Sequence, residues 1–274
     1  MSLVLVSLLA AAAANATPPA VFTLGGDTEA LVLEKTVVAP ENPGTDGGEA
    51  PPPVAPAVKK GTPYRAVTLS GIQGTFATSG DGKVGAYGCG EAQRAIVPFT
   101  GLPEGGAPYL LIPGAWAATP ATVTVSDGAG AANEALVAKV MADYGMPDAK
   151  IVRGAKVEAD IDGDGKPDTI LNVTNAAEGA ELTGNQYSAL IAIMSNNGKE
   201  VSVPLMIQTS NTENPDPEGG PPVLLNIVAI ADIDGDGKFE LVTVGFGSEE
   251  HYVDVWSIAP DGTFNITYQG YCGV

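Results

Sequence analysis

The chain has 274 residues, of which 45% are apolar, so it is long enough to bury one large or two small hydrophobic cores. Its 32 acidic residues far outnumber its 13 basic ones, which gives a formal net charge of −19 at pH 7. A surface this acidic repels nucleic acids and anionic membranes, and we exclude both as partners.

The chain begins with an apolar run over residues 3–14 that closes on Ala14-Asn15-Ala16, a small-x-small cleavage pattern. The run is too short to span a bilayer, and its length is typical of the apolar region of a signal peptide. We therefore predict a signal peptide over residues 1–16 and a secreted, periplasmic or cell-surface protein. Met1-Ser2 lacks the usual basic residues, so a buried N-terminal segment is the alternative.

Residues 17–63 contain much proline and glycine, and residues 39–53 have almost no apolar bulk. Such a composition cannot bury enough surface to offset the entropy lost on ordering. We predict a flexible spacer over 17–63, with at most a short isolated strand at 31–33 and 37–38.

Residues 64–150 are predicted to form a β-rich subdomain with one helix. Short β-branched runs predict strands at 64–70, 74–78, 83–87, 94–99, 109–112 and 121–125. Ser79-Gly-Asp-Gly82 predicts a hairpin turn between the second and third of these strands.

The helix is predicted over 133–144, where apolar residues recur at helical spacing and form one stripe. Asp127 or Asn133 is the expected N-cap, and Gly145 with Pro147 ends the pattern. We expect the stripe to pack on a sheet.

One heptapeptide, Asp-Ile-Asp-Gly-Asp-Gly-Lys, occurs at residues 160–166 and again at 232–238, and an acid follows two residues later in each copy. We call 160–168 the first acidic loop and 232–240 the second acidic loop. Carboxylates at every second position can wrap one hard cation, and the glycines permit the tight turn. The candidate ligands are the acids at positions 1, 3, 5 and 9 and the carbonyl at position 7: Asp160, Asp162, Asp164, Lys166, Asp168, Asp232, Asp234, Asp236, Lys238 and Glu240.

The expected cation is Ca²⁺, with one site in each loop. The loops contain no His or Cys, which disfavours zinc, copper and iron, and magnesium demands stricter geometry. Position 12 is Leu171 or Thr243 rather than Glu, and the flanks read as strands, so neither loop is an EF-hand. The alternative is a pair of solvated acidic turns.

The pattern Asp-x-Asp-Gly-Asp-Gly-x-x-Asp/Glu followed by an apolar strand resembles the FG-GAP/VCBS repeats, the calcium-loop hairpins of integrin-type propeller blades and of many exported bacterial proteins. The resemblance covers 156–174 and 227–247 and implies calcium between two strands of each hairpin. A complete propeller of this family has about seven such units, and this chain shows two.

Each acidic loop is followed by two further strand patterns, at 187–194 and 200–207 and at 252–258 and 263–268. We therefore predict two four-stranded meanders over 151–274, an internal duplication. The expected fold is mainly β with one helix: antiparallel sheets from two propeller-blade-like units plus the N-terminal subdomain, stacked or joined by their edges.

The two cysteines, Cys89 and Cys272, are expected to form one disulfide if the protein is exported. Two buried free thiols are the alternative.

Patterns for catalysis are weak. Glu249, Glu250 and His251 could form an acid/base cluster, but we expect them to lie in an exposed polar loop. The sequence contains no serine-nucleophile elbow and no phosphate-binding glycine loop.

We therefore expect a non-catalytic, monomeric, calcium-stapled structural or adhesion module that recognises an unknown protein or glycan. A secreted hydrolase with structural calcium and a carboxylate pair is the alternative. A cation sensor that changes shape on binding is a third possibility.

Overall fold

The computed structural model describes residues 20–23, 29–35, 53–86, 93–102, 108–114, 122–177, 182–196, 199–210, 224–233, 238–246, 250–259 and 262–273. Within them the chain is mainly β with one helix, arranged as three antiparallel sheets. This confirms the predicted fold class.

The N-terminal sheet has seven strands in the order β5-β4-β8-β1-β2-β7-β6. Its strands are β1 (Val21–Thr23), β2 (Glu29–Val32), β4 (Pro63–Thr68), β5 (Gly71–Ala77), β6 (Lys83–Ala86), β7 (Gln93–Pro98) and β8 (Tyr109–Pro113). A single bridge between Thr78 and Phe99 draws the β5 side of the sheet towards β7. The inner face of this curved sheet is apolar, and Tyr64 packs edge-on against Phe99 there.

The first repeat sheet has the order β13-β12-β11-β10-β9. Its strands are β9 (Thr124–Asp127), β10 (Arg153–Ala159), β11 (Asp168–Thr174), β12 (Tyr187–Asn196) and β13 (Lys199–Thr209). The second repeat sheet has the order β14-β15-β16-β17-β3. Its strands are β14 (Leu224–Ala231), β15 (Glu240–Phe246), β16 (Glu250–Ile258), β17 (Phe264–Gly273) and β3 (Glu34–Lys35). Both predicted four-stranded meanders are therefore present, each with one added edge strand.

The three sheets form a stack in which equivalent faces of the two repeat sheets point the same way. The face of the first repeat sheet that carries Ala159 and Ile170 packs on the second repeat sheet, around Leu241 and Trp256. The corresponding face of the second repeat sheet, with Ala231 and Val242, packs instead on the N-terminal sheet. Each layer thus covers the next, as in repeat proteins whose units contact only their neighbours.

Helix α1 (Ala131–Asp143) covers the free face of the first repeat sheet. Val137 and Met141 are buried against Leu171 and Ile191, so the predicted stripe does pack on a sheet. The expected side-chain cap is wrong: the N-cap is Gly130, and the Asn133 amide instead donates to the Ala129 carbonyl. No helix in the described ranges is long and apolar enough to cross a membrane.

The prediction of a flexible spacer is wrong for most of the described residues between 20 and 63. Val21 and Phe22 are buried in the middle of the N-terminal sheet, and Leu33 is buried between that sheet and the second repeat sheet. Val58 fills the inner core of the N-terminal sheet. These short segments contribute few but fully buried side chains, which an average over a proline-rich stretch conceals.

Two other expectations are corrected by the pairing. The 79–82 turn does not close a hairpin, because β5 pairs with β4 while β6 pairs with β7. The predicted subdomain boundary at 150 also fails, because β9 pairs with β10 in the first repeat sheet.

Candidate metal centre

The first acidic loop joins β10 to β11, and its ends are held by the strand ladder that pairs Ala159 with Asp168. Gly163 and Gly165 take positive φ angles of 78° and 85°, as the predicted turn requires. The loop therefore brings its first and last acids to the same end of one hairpin.

Backbone N–H groups of the loop bond to one oxygen of each carboxylate. Ile161 N donates to Asp168 Oδ2 at 3.0 Å, and Gly165 N donates to Asp160 Oδ2 at 3.0 Å. Asp164 N donates to Asp162 Oδ1 at 3.0 Å, and Lys166 N donates to Asp164 Oδ1 at 2.8 Å. These bonds set the turn and leave the second oxygen of each carboxylate for another partner.

Three of the predicted ligands converge on one point. Asp160, Asp162 and Asp168 each offer an oxygen, and these oxygens lie within 4.8 Å of one another. Oxygens on a calcium ion at 2.3–2.6 Å are at most about 5.2 Å apart, so this spacing suits a single ion. Asp164 lies outside this group, and its Oδ2 is 3.6 Å from Lys166 Nζ. The side chain of Lys166 is exposed.

The electrostatics of the loop favour a cation. Asp160 Oδ1 is buried and has no hydrogen-bond donor. Burial raises the pKa of Asp168, and the negative charges of Asp162 and Asp164 raise it further. Hydrogen bonds donated by the backbone N–H groups of Ile161 and Asp162 lower this pKa and only partly oppose the rise. A buried, unpaired carboxylate oxygen is costly unless a donor or cation reaches it. The residues present therefore fit a hard divalent ion.

The second acidic loop repeats the described part of this arrangement. Ala231 pairs with Glu240 as Ala159 pairs with Asp168, and Ile233 N donates to Glu240 Oε2 at 3.0 Å. Asp232 and Glu240 are buried, and Lys238 is exposed. Asp234 and Asp236 lie outside the described residues. The structure thus brings positions 1 and 9 of this loop to one hairpin end.

A hydroxyl pair lies behind the last acid of the second loop. Ser257 Oγ is 3.5 Å from Glu240 Oε1 and 2.8 Å from Thr267 Oγ1. Nothing in the heptapeptide indicates this pair, because Ser257 comes from β16 and Thr267 from β17. The heptapeptide also predicts no role for Ile161 and Ile233, although both copies carry isoleucine at position 2.

Two further candidate residues, Glu250 and His251, lie at the end of β16 away from the second acidic loop. Glu250 and His251 begin this strand and pair with Gly273 and Cys272, so the expectation of a loop there is wrong. Glu249 and Cys89 lie outside the described residues, and the predicted disulfide stays a prediction.

Comparisons of this chain with protein-family models, with curated proteins and with solved structures find no match.

Proposed function

We propose that the two acidic loops each bind one calcium ion, and that the ions stabilise a non-catalytic, exported β scaffold. The observation that carries this proposal is the buried, unpartnered Oδ1 of Asp160, which belongs to a group of three carboxylates spaced for a single ion. Ile161 and Ile233 donate equivalent backbone hydrogen bonds to the carboxylates at position 9, and this similarity supports a calcium site in the second loop as well.

In this proposal calcium is structural. Bound at the end of a hairpin, it neutralises acids that otherwise repel one another and holds two strand ends together. The apolar run before Ala14-Asn15-Ala16 supports export, which would place the protein where calcium is plentiful. The scaffold would then act as a monomeric structural or adhesion module that recognises a protein or a glycan.

Calorimetric titration of the full chain with calcium, together with a thermal melt, tests the metal sites. We expect two binding events and a higher melting temperature, since an ion at 100 times its Kd adds about 2.7 kcal/mol to the free energy of unfolding per site. The double variant Asp162→Ala, Asp234→Ala should lose both effects.

Lys166→Ala with Lys238→Ala is the matched control, because position 7 is expected to contribute only its backbone carbonyl. This control should bind both ions. If the unmodified chain releases or absorbs no heat and its melting temperature does not shift, the calcium proposal is wrong and the loops are acidic turns.

A further inference from the structure

The isoleucine at position 2 is the most deeply buried feature that the two acidic loops share. Ile161 and Ile233 are each only 2% exposed, although both occur within highly charged loops. In each copy its backbone N–H donates to the carboxylate at position 9, over 3.0 Å. The isoleucine is thus fixed by one of the expected calcium ligands while its side chain leaves the loop.

The two side chains enter different cores. Ile161 packs in the cluster between the first and second repeat sheets, together with Leu225 and Trp256. Ile233 packs in the cluster between the second repeat sheet and the N-terminal sheet, together with Phe22 and Val67. This difference follows from the one-directional stack, because equivalent faces of the two repeats cover different layers.

We propose that each calcium ion controls a different contact between layers: the ion of the first acidic loop locks the first repeat sheet onto the second, and the ion of the second acidic loop locks the second repeat sheet onto the N-terminal sheet. This inference rests on the proposed calcium sites. It adds that the two ions are not interchangeable.

The coupling has a direct physical route. Without an ion, the acids at positions 1, 3 and 9 repel one another, and the carboxylate that holds the isoleucine N–H is no longer fixed. Loosening of that backbone bond withdraws an isoleucine from a closely packed core, where lost contacts are not replaced. The ion reverses both effects, so the packing of a whole layer depends on the occupancy of one loop.

Hydrogen–deuterium exchange of the full chain, with calcium and with chelator, measures the two contacts separately. In the unmodified chain, calcium should slow exchange by about tenfold or more in β11 and β12, and likewise in β4 and β8. Asp162→Ala should remove the calcium effect from β11 and β12 but leave it in β4 and β8. Asp234→Ala should do the opposite.

A matched pair of variants tests the route through isoleucine. Ile233→Ala should still bind two ions by calorimetry but lose the calcium-dependent protection of β4 and β8. Ile161→Ala carries the same loss of side chain in the other loop and should keep that protection. If either alanine variant fails to fold, as judged by circular dichroism, the aspartate variants still decide the question.

The outcomes separate the two proposals. Calcium binding with protection confined to the loops, or lost from the same strands in both aspartate variants, would overturn the coupling and leave the metal sites in place. Absence of calcium binding to the unmodified chain would overturn both.

Discussion

Asp254 is a buried acid that lies between the two repeat sheets rather than in either acidic loop. It is 2% exposed, and the one described partner of its carboxylate is Gln269, whose Nε2 donates to Oδ1 at 2.9 Å. The facing residue on β15 is Thr243, which accepts a hydrogen bond from Trp256 Nε1 at 3.0 Å. Burial raises the pKa of Asp254, and the bond from Gln269 only partly opposes this.

The raised pKa predicts a pH effect of defined sign. Because the folded state holds the proton more tightly than the unfolded state, the free energy of unfolding falls as pH rises from the ordinary value of 3.8 through the folded pKa. Asp254→Asn keeps an acceptor for Gln269 and carries no charge. We therefore expect the variant to be more stable than the parent at pH 7, with a difference that vanishes below the ordinary pKa.

Urea unfolding of both proteins from pH 3 to 8 in calcium-free buffer measures this difference. Asp148→Asn, a change at an exposed acid, is the control and should follow the parent at each pH. A destabilised Asp254→Asn at pH 7 would show that the carboxylate is ionised and well paired in the fold.

For single residues, the sequence predicts a role or a burial state only where a motif recurs or polarity alternates along a strand. The loop acids were found because a heptapeptide recurs, and Gly163 and Gly165 take the positive φ angles that such a turn needs. Asp254 was not found, because a single acid within the alternating run of β16 reads as solvent-facing. Its burial follows from the first repeat sheet covering that face, which no local pattern records.

The two repeat sheets are joined at β14, where two side chains of the first repeat sheet form hydrogen bonds with the backbone of Leu225. Leu225 N donates to Ser188 Oγ at 3.1 Å, and Asn172 Nδ2 donates to the Leu225 carbonyl at 2.8 Å. Leu225 and Ser188 are fully buried. The edge of the second repeat sheet is therefore completed by side chains of the first.

Ser188→Ala should weaken this joint, because it leaves the Leu225 N–H buried without its acceptor. An orphaned buried donor costs about 1–3 kcal/mol of the free energy of unfolding. Urea unfolding at saturating calcium measures the cost. Thr124→Ala, an exposed change on edge strand β9, is the control and should shift stability by less than about 0.5 kcal/mol. Equal effects from both variants would mean that the joint contributes nothing.

At the element scale, pattern predicts strands better than it predicts their partners. Alternating and β-branched runs placed β10, β11 and the strands of both meanders correctly. The pairing within each meander could also be predicted, because consecutive antiparallel strands usually pair. The hairpin predicted at 79–82 is wrong, because Thr78 bridges to Phe99 and β6 pairs with β7, so the chain bends there and continues along the same strand. Turn-forming residues therefore do not say which strands pair.

At the scale of the whole molecule, the two four-stranded meanders could be predicted, but the ends of the stack could not. A stack of these two sheets leaves one apolar face open at each end. Helix α1 covers the first of these and the N-terminal sheet covers the second. Both covers depend on contacts between distant segments, and the strands β1, β2 and β3 are too short to stand out by composition.

The short N-terminal strands are expected to be indispensable for the stack. β1 lies between β8 and β2 in the centre of the N-terminal sheet, and β3 pairs with β17. Gly270 lies so close to this segment that a Cβ there would meet Leu31 Cδ2 at 2.9 Å.

A chain that begins at residue 64 loses all three strands and should show no cooperative thermal transition, since the loss of these strands opens the layer beneath Val242 and Val255. A chain that begins at residue 17 keeps them and should melt like the full chain. Cooperative melting of the shorter chain at the same temperature would show that the capping layer does not need its central strands.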